Sequence, residues 1–496
     1  MKQMFEWLFR WQVLGRVALG IVGTLFVGVA ALKIEEARGR SAWDRFQSEW
    51  ESRGESFDWR RLVPAPVPDD ENFAMAPLLA PLAKQVWDPK TRRIIHDSDV
   101  QHGLSSRFPR WSPTNTGVWR LAIPTPLDAL AHTASGPTTN SISAARRVLD
   151  ALSPYSGVLQ EMTEAAQRPH ARFNNQYEAG GSMLLVHLTV LKNAAKTFQH
   201  RATANLADGR ADLAWEDVRV QLRLAESLRP EPIVISQLVR LAILEMALQT
   251  IWECMSASRW TEPQWEAMTR ELARLNLGED YRHCLRGEAL FVSSSIFDAA
   301  IRGQPVDWRQ LLGSESPPLR FMPKGWLYQN KLSLAKLHYE LAMPVFDPAT
   351  GQFHPERAAL AAKQLDSMKR TPYNVFSLFL FPSIAQTSKR FAATQSAADM
   401  ARIAIAIERH RLKFGTLPRS LSDLIAAKLM DKIPADLIDG RPLRYSILSP
   451  TEYRIYSVGW NRSDELGSAD SRGTTNQPAF NLDAGDWVWS SQPAAR

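Results

Sequence analysis

The stretch Val17–Leu32, VALGIVGTLFVGVAAL, decides the architecture of this chain. It carries no charge, and extending it back to Val13 gives 20 residues interrupted only by Arg16. About 20 apolar residues rising 1.5 Å each cross a hydrocarbon core of roughly 30 Å. Arg16 lies near the end of the run, where its long side chain snorkels to the headgroups. Trp7 and Trp11 stand upstream, at the level of an aromatic belt. The segment therefore reads as a single transmembrane helix, with residues 13–32 in the lipid bilayer. A cleaved signal peptide is the alternative, since Ala30 and Ala31 would supply the small residues at a cut. Lys2, Arg10 and Arg16 precede the span and Lys33, Arg38 and Arg40 follow it, so flanking charge does not set its direction. A short N-terminus before a long C-terminal region behaves as a signal anchor. The expectation is a single-pass protein of a bacterial inner membrane, its bulk periplasmic or otherwise extracytoplasmic.

Outward from the span, the chain reads as mainly α. Ile34 to Arg53 continues the helix, with Trp43, Phe46 and Trp50 recurring on one stripe. Asp69-Asp70-Glu71-Asn72 precedes the apolar run Phe73 to Leu82, and acidic residues there predict a helix N-terminus, with metal-ligand or acid–base roles as the alternative. Proline breaks residues 85–175 into short helices and long loops. From Met183 the helical signal is strong: Leu184, Leu188, Leu191, Ala195 and Phe198 share a face, and Asp208-Gly209 turns the chain. A second helix follows to Pro230, a third covers Ile233 to Ala257, and Thr261 with Gln264 forms a capping box for a fourth. These paired helices resemble tetratricopeptide-like hairpins without their 34-residue repeat signature. The run Val375 to Phe381, VFSLFLF, is too short to span a bilayer and is expected in the core.

Near Phe391 the pattern changes. A helix to Phe414 is capped by Gly415, and Ser420 with Asp423 begins a short helix. Pro442 to Ile447 and Glu452 to Val458 alternate as two strands joined at Leu448–Thr451, and Asp486 to Trp489 supplies a third. The expected organisation is an anchor (1–33), a membrane-proximal helix and loop-rich region (34–175), a helical-hairpin domain (176–302), a helical continuation and linker (303–390), and a small C-terminal α+β module with a short antiparallel sheet (391–496).

That last module carries short motifs in a telling order. They are Leu417-Pro418 with Ser420, Leu421 and Leu424; Asp436 with Gly440, Pro442 and Tyr445; Tyr456, Ser457, Gly459 and Asn461; and Asp486 with Trp489. Together they resemble the globular domain of the major pseudopilin of type II secretion systems, over about the last 100 residues. The whole chain resembles large membrane-anchored bacterial proteins of unknown function that end in such a module. The resemblance implies a calcium loop before the final strand, with Asn461 and Asp486 at the matching positions and Asp464 nearby. Asn461 stands where the family carries Asp, and the loop here is longer. The span lacks the Glu that follows a pilin leader, so the anchor reads as a plain tether.

Composition narrows the function further. The hydrophobic share of 45% over 496 residues is that of a globular protein. The net charge of +7 is dispersed, with no dense basic block or aromatic–basic stripe, which argues against nucleic acid. Two cysteines, Cys254 and Cys284, exclude a disulfide scaffold; they either pair or stay reduced within helices. No nucleophile elbow, phosphate loop, zinc-protease motif or dinucleotide fingerprint occurs in the chain. His283 beside Cys284, and Glu408 near His410, read as structural. The expected role is a non-catalytic scaffold or protein-interaction protein of the envelope. The alternatives are a component of a secretion or pilus-like machine and a membrane-tethered hydrolase with an unrecognised site.

Overall fold

The computed structural model describes residues 11–88, 93–109, 111, 125–135, 142–257, 260–304, 306, 322–381, 386–474 and 477–491. The fold is mainly helical, with an N-terminal apolar helix and small antiparallel sheets near the C-terminus. The first helix, α1 (Trp11–Ser52), runs without interruption for 42 residues. Its first half is long and apolar enough to cross a membrane, and it is bare: Leu19 and Phe26 are 75% and 74% exposed. A continuous apolar surface of that length is not left open to water. Its second half turns one stripe, Trp43 and Phe46, into the core.

The central body is built from α2 (His187–Ala207), α3 (Ala211–Ser227), α4 (Val234–Ser256), α5 (Glu262–Ala273) and α6 (Leu277–Gly287). The turn between α2 and α3 is at Asp208-Gly209, where Gly209 takes φ 80°. Across it Arg201 forms a forked pair with Asp217. The capping box of α5 is formed as the spacing predicts, Thr261 N donating to Gln264 Oε1 at 2.8 Å. Helix α4 is also apolar enough to span a bilayer, but 78% of that stretch is buried, so it is the central core helix of the body.

One local expectation fails. Residues 73–82 form two single turns, Phe73–Met75 and Ala80–Ala83, not a helix. Pro77 and Pro81 forbid the continuous hydrogen-bond ladder. The cap comes from Asn72, whose carboxamide oxygen accepts from Ala74 and Arg172, and not from Asp69, Asp70 or Glu71.

Beyond the hairpins, α7 (Lys324–Lys336) lies along α1. Gly39 and Gly325 permit the approach: a Cβ on Gly39 would stand 2.9 Å from the Gly325 carbonyl oxygen, and one on Gly325 2.6 Å from the Glu35 carbonyl carbon. Lys331 sits 3.8 Å from the Trp43 ring centroid and pairs with Asp298 at 2.6 Å. The run Val375 to Phe381 gives the short helix α8 (Val375–Leu380), with Phe376 and Phe381 buried as expected.

The long helix α9 (Thr387–Phe414) is buried along most of its length and is capped by Gly415 at φ 75°. One side packs on α4, α5 and α6; the other receives the sheet β1 (Arg444–Ser449), β2 (Glu452–Ser457) and β5 (Trp487–Ser490), in the order β1-β2-β5. Registers pair Arg444 with Tyr456 and Ser457 with Trp487. A second hairpin, β3 (Ala469–Thr474) with β4 (Gln477–Gly485), is inserted before β5. Trp252 of α4 donates to the Ser490 carbonyl at 2.7 Å, and one hydrophobic core runs from Trp43 to Trp489. The C-terminal module therefore shares its core with the helical body.

Candidate functional site

Two places hold chemistry. The first is the loop between β2 and β3. Gly459 and Gly467 take positive φ, as do Arg462 at 60° and Leu466 at 58°, a conformation that costs a residue with a Cβ. Asn461 ties the loop to itself, accepting from Ser463 N and donating to Glu465 Oε1 at 2.8 Å. Asp464 accepts from Leu466 N and turns its other oxygen toward Arg444, 3.7 Å away. Asp486 is fully buried at the entry to β5, and its Oδ2 accepts from Gly467 N at 2.6 Å.

The remaining oxygens carry the interest. Asp486 Oδ1 and Glu465 Oε2 are buried without a hydrogen-bond partner. Burial pushes the Asp486 carboxyl up to about 6, and the neighbouring Glu465 adds to the rise. Of the three expected residues, Asp486 is in place, Asn461 reaches the site only through Glu465, and Asp464 is turned to Arg444. The acidic partner of Asp486 is Glu465, one residue beyond Asp464, and no motif position marks it. Calcium takes roughly six to eight oxygen ligands. Two orphaned carboxylate oxygens suit a hard cation in kind, yet among the described residues no three His, Cys, Asp or Glu side chains converge as a metal group.

This pair has a pH consequence. A carboxyl whose folded value lies above its ordinary one binds protons better in the folded state. Its contribution to stability is full below the ordinary carboxylate value and is lost as pH rises through about 6. The melting temperature is expected to rise on going from neutral pH toward about pH 5, and Asp486→Asn is expected to flatten that rise. A wild-type profile that is flat between about pH 7 and about pH 5 would sink the pairing.

Below the loop, the quoted motifs converge on Asp436. Its carboxylate accepts from Ile438 N, Ser457 Oγ and Val458 N, and meets Arg444 Nη1 at 2.7 Å. Tyr445 donates to the Pro418 carbonyl at 2.9 Å, and Asp423 accepts from the amides of Arg419 and Ser420. The motif residues thus hold one another, which their order along the chain did not reveal.

The second place is a groove of about 800 Å³ on the helical body, bordered by the segment 163–169, α3 and α5. Trp215, Val220 and Met268 line its apolar part. Arg219 pairs with Glu216 and Arg274 with Glu271, whereas the side-chain hydrogen bonds of Arg168 and Arg223 go to backbone carbonyls. Glu226 also lines the groove beside Arg223, so four arginines face three glutamates and the lining is mixed, with one positive charge in excess.

The remaining candidates are structural. Cys254 and Cys284 are free and buried, and burial pushes both thiols up. Cys284 donates to the Tyr281 carbonyl, while His283 faces the Pro230 carbonyl. Glu408 pairs with Arg411, and His410 bonds to the Thr416 carbonyl. His187 and Glu231 meet at 2.8 Å, but both are buried in the core. Comparison with protein-family models, with curated proteins and with solved structures returns no match for this chain.

Proposed function

We propose that this chain is a membrane-tethered scaffold of the bacterial envelope, non-catalytic, held in the inner membrane by α1 with its bulk on the extracytoplasmic side. The observation that carries the reading is the groove between α3 and α5. It combines an apolar floor with a rim of four arginines and three glutamates on a helical surface, the kind of surface that accepts an amphipathic segment of another protein. The four arginines offer paired donors to acidic side chains of that segment, and the three glutamates offer acceptors to basic ones. The pseudopilin-like module, fused to the same body, serves as an assembly or recognition domain.

Site-specific photo-crosslinking in membranes tests this. A photoreactive residue at Ala267, in the groove, is expected to give one discrete protein adduct. The same residue at Leu360, an exposed site on the helix Pro355–Ser367, gives none. Arg219→Glu with Arg274→Glu is expected to weaken the Ala267 adduct severalfold. An adduct indifferent to that charge reversal, or one that Leu360 gives equally, overturns the docking role.

A further inference from the structure

The body is clamped to α1 close to the end of its apolar run. The uncharged stretch ends at Leu32, Gly325 meets Glu35, and the Arg38 guanidinium lies 5.6 Å from the Tyr373 ring centroid. At 1.5 Å per residue, Arg38 stands about 9 Å along the helix from Leu32. The headgroup layer on each side of a bilayer is about 5–8 Å thick. Glu35, three residues beyond Leu32 and about 4.5 Å along the helix, lies within that layer, and Arg38 stands at its outer edge, so what packs beside them borders the headgroups.

The direction of α7 says which end faces the lipid. Gly325 lies against Glu35, Tyr328 near Arg40, Lys331 over Trp43 and Tyr339 against Trp50, so α7 runs parallel to α1. Its first residue, Lys324, lies at the end of α7 nearer the span. The loop before α8 is pinned beside it: Asn330 donates to the Pro372 carbonyl at 2.7 Å, and Trp326 packs edge-on against Tyr373. Lys369, Arg370, Tyr373 and Val375 are exposed on this edge. The carboxylates here, Glu35 and Glu36, are already paired with Arg38, Lys33 and Arg40, so they do not cancel the basic edge.

We infer that the rim formed by Lys324, Trp326, Lys369, Arg370, Tyr373 and Val375 rests on the headgroup layer of an anionic bilayer. Aromatic rings with a polar tip favour that layer, and lysine and arginine are drawn to anionic lipid. The inference rests on reading α1 as a membrane anchor.

The full chain in nanodiscs, spin-labelled at single introduced cysteines, separates the two. Cys254 and Cys284 are buried, so the new thiol takes the label. In phosphatidylglycerol discs, a label at Val375→Cys is expected to be severalfold less accessible to a water-soluble nickel chelate than in phosphatidylcholine discs. It is also expected to be less accessible than a label at Leu412→Cys, on the exposed side of α9. Adding Lys369→Glu and Arg370→Glu is expected to restore access. If a label at Val22→Cys is shielded by lipid but Val375→Cys is as open as Leu412→Cys in both lipids, the anchor stands and the rim contact falls. If Val22→Cys is open to the chelate as well, both fall.

Discussion

Gly287→Ala is expected to cost about 4 kcal/mol or more and to remove most of the folded protein. A Cβ at this position would lie 1.5 Å from the Pro232 carbonyl oxygen and 2.6 Å from its carbon. Both obstacles are backbone, so no side chain can swing aside. Pro232 leads into α4, and Gly287 ends α6 and passes into the π-helical turn Glu288–Ser294. Separating the two helix ends would strain the Glu288 contact to the Val234 amide and open the core around Leu241, Cys284 and Leu285. Domains hold only about 5–15 kcal/mol in total, so the loss falls on much of what is available. Limited proteolysis and thermal melting of membrane-purified protein check it. A Gly287→Ala variant that melts within a few degrees of wild type would contradict the geometry.

Asp436→Ala is expected to destabilise the C-terminal module by about 3–5 kcal/mol. Burial pushes the Asp436 carboxyl above its ordinary value, while the Ile438, Ser457 and Val458 donors pull it back. Deletion would leave two buried amides without an acceptor and would strip Arg444 of one of its carboxylates; Asp439 remains. Asp436→Asn keeps the volume but turns a donor toward donors, and its cost is expected to fall between. Ser457→Ala removes one neutral donor and is expected to cost about 1 kcal/mol. Hydrogen exchange reads the effect locally: the Val458 amide is expected to lose protection before the amides of α4. Equal protection at Val458 in the wild type and Asp436→Ala would refute the keystone role.

Features that depend on near neighbours were legible in the sequence. The charge-free run ahead of Lys33, the turn at Asp208-Gly209 and the capping box at Thr261 each stand in the structure. So do the junction of β1 and β2 near Pro450 and the strand at Trp487–Trp489. Each rests on hydrogen bonds or alternation within a few residues. What escaped depends on contacts distant in sequence. Gly39 has no local reason to be glycine; the reason is Gly325. Glu465 looks like an ordinary loop acid until Asp486 is brought beside it, and the hairpin of β3 and β4 is masked by its Gly, Pro and Asn content. The run 73–82 has the apolar content of a helix, but Pro77 and Pro81 within it break the hydrogen-bond ladder into two single turns.

The unbroken path of α1 has a mechanical consequence. It contains no proline from Trp11 to Ser52 and is about 63 Å long. A flexible leash would let the body wander over a membrane; as the proposed anchor, this helix would act as a mast. Spanning helices tilt by about 20° on average, and more when the bilayer is thin for their length. Any change in tilt passes undiminished along a stiff rod. A further 10° of lean would carry a point about 30 Å up the mast sideways by about 5 Å. With α1 as the proposed anchor, bilayer thickness would set how the groove is aimed, and the same protein would address its surroundings differently in thick and thin membrane.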